Sequence, residues 1–439
     1  MINKLKQMLS ALRSSLWFVP TIIVVAAIGL ALILIEVDGR ARHDWLAAYP
    51  RLFGAGADGS RGMLSAIAGS MITVAGLTFS LTIVAMAQAS SQYTSRILRN
   101  FMRDRSNQFV LGFFVGVFAY CLIVLRTIRG GDEQGGFIPA FAVLCGLLLA
   151  IASIGVLIFF IHHIAGSIQA SSIISSAAFE TIAAVKRLFP EQMGEEADGA
   201  EEHKFSAEVD REDWRVIAAR ETGYIQDVDA DGLVEFATKR GGVIKMERGV
   251  GEFIVKNSPL AAFNGKEAFD DAARIEFENL YVIDKYRTID KDAAFGIRQL
   301  VDIALKALSP GVNDTTTAIV CVDYLGAILA KLAGRRVENL FRSKDGKVRV
   351  VARGATFASL AAEAFDQIRD VANENVAIYL RLLDSIETIA RQTASRCRLA
   401  VLAKHIELIA DQAGRNLKSD YNRERLREKI AEAKTAVKL

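Results

Sequence analysis

What this chain has least of is interruption. Six prolines in 439 residues leave long helices unbroken, because proline ends or kinks a helix. Four cysteines, Cys121, Cys145, Cys321 and Cys397, stand apart with no CxxC spacing. Neither a zinc ribbon nor a disulfide framework is therefore indicated. The net charge is only +3, too small for the basic footprint of a nucleic-acid binder. Catalytic signatures are missing as well: there is no GxSxG, Walker A, HExxH or Cys–His cluster. Gly249-Val250-Gly251 lacks the third glycine of a dinucleotide fingerprint. The chain is expected to be no enzyme, to need no cofactor and to bind no nucleic acid.

Charge is absent in a patterned way. Residues 16–35, 63–87, 109–125 and 137–161 contain no Lys, Arg, Asp or Glu. Each run approaches the roughly 20 apolar residues that a helix needs to cross a bilayer, and no comparable run follows. The expected fold is an α-helical polytopic membrane protein with four transmembrane helices in 1–165. A helical extension with an acidic linker fills 166–213. A small mixed α/β subdomain fills 214–260, and a mainly helical domain fills 261–439. Together the last two make a cytoplasmic α+β domain with C-terminal helices. The first run is too long for a signal peptide and is followed by Glu36-Val37-Asp38, so it is expected to stay as an anchor, with Trp17 at the interface. Lys4, Lys6, Arg13, Arg96, Arg99, Arg103 and Arg105 fall on one side. Arg40, Arg42, Arg51, Arg61 and Arg129, with Arg126 at the edge, fall on the other. The bias predicts both termini in the cytoplasm.

Beyond the spans, 214–228 reads as a strand pair or one long strand, and 243–246, 252–255 and 280–283 as strands. Helices are expected at 233–239, 266–277, 293–308, 315–332, 356–373, 376–410 (continuous or broken) and 416–437.

The second run carries a stripe. At 100° per residue, Gly62, Ser65, Gly69, Thr73, Gly76, Ser80, Ala87 and Ser91 share an arc of about 80°, interrupted only by Ile83. Small residues let helices approach closely, and hydroxyls can bond across the contact. The same chemistry can line a pore, so helix packing and a permeation path are both open. Gly112 and Gly116 in the third run form a GxxxG pair, which points to tight packing. His162 and His163 close the fourth run, as interfacial side chains or as a pH-sensitive or headgroup-binding pair.

Asp227-Val228-Asp229-Ala230-Asp231-Gly232 copies the start of a calcium loop, with Glu235 at position nine. Position twelve is Thr238 rather than the bidentate glutamate. The other reading is an acidic strand-to-helix turn with Asp231 as N-cap. Arg298, Asp302 and Lys306 recur at i, i+4 before Ser309-Pro310-Gly311-Val312-Asn313-Asp314. They make either a surface charge ladder or a buried Arg298–Asp302 pair bonded to the Asn313-Asp314 turn.

Residues 295–314 (FGIRQLVDIALKALSPGVND), 78–92 (TFSLTIVAMAQASSQ) and 159–165 (FFIHHIA) resemble a bacterial predicted-membrane-protein family, domain of unknown function 2254. The resemblance covers most of the chain. Ser95-Arg96 stands where the family carries Pro-Arg, and Thr315 where proline is frequent. The resemblance implies a bacterial inner-membrane location, recurrence of the histidine pair and the Arg–Asp hairpin, and no particular activity. The residues point to a homo-oligomeric channel or permeation protein in a lipid bilayer, its second span facing a shared axis. The alternative is a membrane-anchored sensor or scaffold whose cytoplasmic domain binds a ligand or protein.

Overall fold

The computed structural model describes residues 17–40, 56–92, 104–130, 137–189, 214–265, 270–335, 337, 341–345 and 347–438. The chain divides into two compact units, one ending at Ser172 and one beginning at Ile173.

Among the described residues the first unit has four helices: α1 (Phe18–Arg40), α2 (Ala57–Gln92), α3 (Arg105–Thr127) and α4 (Ala140–Ser167). All four are long and apolar enough to cross a membrane. Pro20 falls in the first turn of α1, where a missing N–H costs nothing. α2 has 36 residues, about 54 Å of helix, against a hydrocarbon core of roughly 30 Å. The GxxxG pair lies against α1. A Cβ on Gly112 would stand 2.8 Å from Pro20 Cα, and one on Gly116 3.4 Å from Ala27 Cβ. Gly146 of α4 likewise admits Leu64 of α2, whose Cδ2 would stand 2.9 Å from an added Cβ. Phe114, Tyr120, Val124 and Phe160 fill the centre.

Most of α5 (Ala170–Leu188) lies in the second unit. Among the described residues eight strands follow in two sheets. β1 (Arg215–Ala218), β5 (Pro259–Asn264), β3 (Val243–Met246), β8 (Lys347–Val351) and β7 (Phe341–Lys344) lie in that order in one sheet. β4 (Phe253–Ile254), β2 (Gly223–Val228) and β6 (Tyr281–Asp284) form the other. The stretch 214–228 is thus neither one strand nor a pair: β1 and β2 join different sheets. β3 meets β8 in parallel, Ile244 opposite Val350, across roughly a hundred intervening residues. α6 (Ala230–Lys239) and α7 (Asp271–Glu278) cover the core with Phe236 and Phe277, which meet edge-on at 5.5 Å.

The rest is helical: α8 (Ala293–Ala307), α9 (Thr315–Ala333), α10 (Phe357–Val371), α11 (Val376–Ala390), α12 (Arg396–Asn416) and α13 (Asp420–Ala436). The 376–410 helix is broken before Ser395, whose side chain caps α12. A correction concerns α9. It too is long and apolar enough to cross a membrane, so apolar helices do not end with the first unit. Its composition follows from its place in the bundle. α8 and α11 flank it, and Cys321, Val322, Leu325, Ile328, Leu329 and Leu332 are fully buried.

Candidate functional site

α2 shows one face to its own bundle and another away from it. Leu64, Ile67, Ala68, Met71, Ala75, Thr78, Ala85 and Ala89 are buried. Ser65, Gly69, Thr73, Gly76 and Ser80 are all exposed, and a Cβ added at Gly62, Gly69 or Gly76 would meet nothing within 4 Å. Among the described residues nothing packs on the stripe at these glycines. It forms a shallow groove between ridges, with Ile72 and Phe79 on one side and Leu77, Leu81 and Val84 on the other. α4 differs: it exposes Leu148, Ile151, Ile154 and Ile158, the branched surface that suits lipid. Thr73 donates to the Gly69 carbonyl at 2.8 Å, and Ser70 to those of Ala66 and Ile67. The side chain of Ser91 lies outside the described residues.

Polar clamps hold both ends of α4. Asp38, at the end of α1, is buried. Its Oδ1 and Oδ2 accept from the backbone N–H groups of Phe141 and Ala142 at 3.1 and 3.0 Å. The carboxylate thereby satisfies two of the unpaired donors at the start of the helix and faces the positive end of its dipole. At the other end, His163 Nε2 lies 2.6 Å from Asp104 Oδ2. Asp104 is the N-cap of α3, where Oδ1 accepts from Ser106 N at 2.9 Å. Phe159 stacks on the imidazole at 5.7 Å, and Ser167 Oγ lies 3.5 Å from Nε2. His162 is exposed. The two histidines therefore separate, and one joins a carboxylate that the apolar pattern did not reveal. The only signal for it was a capping residue, Asp104, just before the run. The pair can share a proton and fix the ring. Among the described residues no three His, Cys, Asp or Glu side chains could hold a metal ion.

In the second unit, Arg298 Nε donates to Asp302 Oδ1 at 2.8 Å. Its Nη1 reaches Glu363 Oε1 of α10 at 3.3 Å. The pair is half-buried, so it is more than a surface ladder. Arg298 reaches α10 rather than the Asn313-Asp314 turn. Asp314 caps α9, with Thr317 Oγ1 donating to its Oδ2 and Thr317 N to its Oδ1. The Thr317 hydroxyl and backbone hold this carboxyl below the usual range. Asn313 takes a positive φ of 50° in the turn, a conformation asparagine tolerates. Lys306 is exposed. Asp302→Ala is expected to destabilise the folded chain by about 1–3 kcal/mol, the cost of a charged hydrogen bond, and a denaturant titration reads it.

The acidic turn at 227–235 opens α6, and its cap is Asp229 rather than Asp231: Oδ1 accepts from Gly232 N at 2.9 Å. Asp227 pairs with Lys291 at 3.2 Å. Asp231 lies in the first helical turn, and Glu235 is exposed one turn further on. Gly296, inside the FGIRQ stretch, is where α5 crosses α8: a Cβ there would overlap the Thr181 side chain. His405 of α12 is buried against Phe365 and lies 3.6 Å from Asp366. Burial holds its imidazole below the usual value.

Comparison with known proteins agrees with this architecture. The family profile described as predicted membrane protein (DUF2254) matches residues 13–388. The uncharacterised protein MT1328 of Mycobacterium tuberculosis (strain CDC 1551 / Oshkosh) is 31% identical over 430 residues, 96% of this chain and 81% of that protein. The uncharacterised protein Mb1321c of Mycobacterium bovis has the same identity and coverage. No solved structure matches the chain. With the profile spanning the apolar helices α1 to α4 and most of the α+β unit, the chain belongs to the DUF2254 family of predicted membrane proteins.

Proposed function

We propose that this membrane protein is a homo-oligomer of the bacterial inner membrane that permits permeation along an axis shared by α2 helices. The outward exposure of Ser65, Gly69, Thr73, Gly76 and Ser80 carries the reading. A groove of small and hydroxylated residues on a spanning helix favours a close helix partner or water over acyl chains. The second unit sets assembly or gates the path. In this reading four helices span, and α9 belongs to the soluble bundle. Asp323, midway along α9, is held by both Nε and Nη2 of Arg381 on α11, an ion pair suited to a protein interior and not to lipid.

The reading places both termini in the cytoplasm. An impermeant thiol reagent added to intact cells is expected to label a cysteine placed at Asp132 and to leave one at Glu195 unlabelled. The opposite pattern reverses the orientation.

Permeation is tested at Gly76. Gly76→Leu adds bulk to the groove, and its Cβ meets nothing within 4 Å. Each protomer is expected to fold normally while the oligomer, measured by mass in detergent, falls to monomers and flux disappears. Ile67→Leu, on the buried face, is the nearly volume-conserving control. An intact oligomer and flux in Gly76→Leu would remove the main support. One observation favours the membrane-anchored sensor or scaffold instead: the Ser70 and Thr73 hydroxyls already donate to their own helix and tolerate lipid. A wild-type monomer in detergent would select that reading.

A further inference from the structure

Asn107 sits in the first turn of α3 and is 6% exposed. Both ends of its amide, Oδ1 and Nδ2, are buried without a hydrogen-bond partner. Among the described residues it is the only side chain of the first unit in that state. It stands three residues beyond Asp104, about 4.5 Å along the helix axis, at the end of the unit where Asp104 meets His163.

A buried amide with nothing to bond is costly, more so in a membrane unit where the surroundings offer no bulk water. The chemistry of the two orphan atoms restricts what can relieve that cost. Oδ1 only accepts and Nδ2 only donates. A cation satisfies Oδ1 and leaves Nδ2 bare. An anion satisfies Nδ2 and leaves Oδ1 bare. A hydroxylic ligand small enough for a helix interior satisfies both, and water is the smallest. Asn107 supplies two of the two to four polar contacts that a buried water uses. We propose that Asn107 anchors an ordered water inside each protomer, so that water enters the four-helix unit by way of the Asp104–His163 end. This site is independent of the α2 axis: Asn107 is buried within one protomer, whereas the α2 groove is exposed.

Two measurements on the full chain in detergent decide the proposal. Asn107→Leu keeps the branched shape and removes both polar atoms. With a bound water lost, the melting midpoint is expected to fall by about 2–4 °C. An amide with nothing bound gives the opposite sign, because an apolar group then relieves the burial cost. The second measurement covers a Leu variant that fails to fold. In a chain with its native cysteines replaced, Asn107→Cys is treated with a small methanethiosulfonate, alongside Val110→Cys, which is 1% exposed one turn on. The thiolate attacks the reagent's thiol-linked sulfur and expels methanesulfinate, and the thiolate forms in water and not in apolar surroundings, so position 107 is expected to react at least about tenfold faster than position 110. Equal, slow reaction at both positions, or a raised midpoint in Asn107→Leu, overturns the proposal.

Discussion

Asp38→Ala is expected to cost the membrane unit more than any other single truncation in it. Two backbone N–H groups at the start of α4 lose their acceptor at a position that is buried. At about 1.5–3 kcal/mol for each charge-assisted bond, the loss is about 3–6 kcal/mol, a large share of what holds a domain together. Purified protein is expected to elute as aggregate, or to melt far below wild type. Asp38→Asn keeps one acceptor oxygen and is expected to fall between the two. An Asp38→Ala protein that melts with wild type would show that α4 needs no cap.

Gly296→Leu is the second. An added Cβ already overlaps the Thr181 side chain, and the remaining atoms of leucine have nowhere to go without moving α5 off α8. Overpacking of this kind costs about 1–3 kcal/mol where neighbours can shift. Here the obstruction includes Thr181 Cβ as well as the side-chain tip, so the upper end or beyond is expected. Gly296→Ala gives a milder form, and Thr181→Ala in the same chain is expected to recover part of its loss. Circular dichroism melts of the four proteins measure this. A double variant no better than Gly296→Ala would place the obstruction elsewhere.

The helices at Phe18–Arg40, Ala57–Gln92, Arg105–Thr127 and Ala140–Ser167 were legible because a helix apolar enough to cross lipid must be uninterrupted, and the runs at 16–35, 63–87, 109–125 and 137–161 carry that pattern. The GxxxG pair was legible for a related reason: close helix approach admits only small side chains, and Gly112 and Gly116 meet α1. The α2 stripe could be drawn on a helical wheel, yet its direction could not. A stripe facing a neighbour and a stripe facing outward have the same periodicity. α9 shows the reverse ambiguity, since a helix surrounded by protein and one surrounded by lipid select the same residues. The sheets were the least legible. β8 reaches β3 from roughly a hundred residues away, and nothing in the local pattern of 347–351 names its partner. Asp38 and Asp104 were visible only as flanking acids. Their roles depend on which helix end each one meets, which is a property of the fold.

The two carboxylates constrain motion as well as stability. With Asp38 tethering one end of α4 and Asp104 the other through His163, this rod cannot slide along its own length without breaking a tether. It can still turn about its axis or bow between the pins. Within its own unit, a displacement of α4 is therefore a rotation or a flexure, and a piston stroke is closed to it.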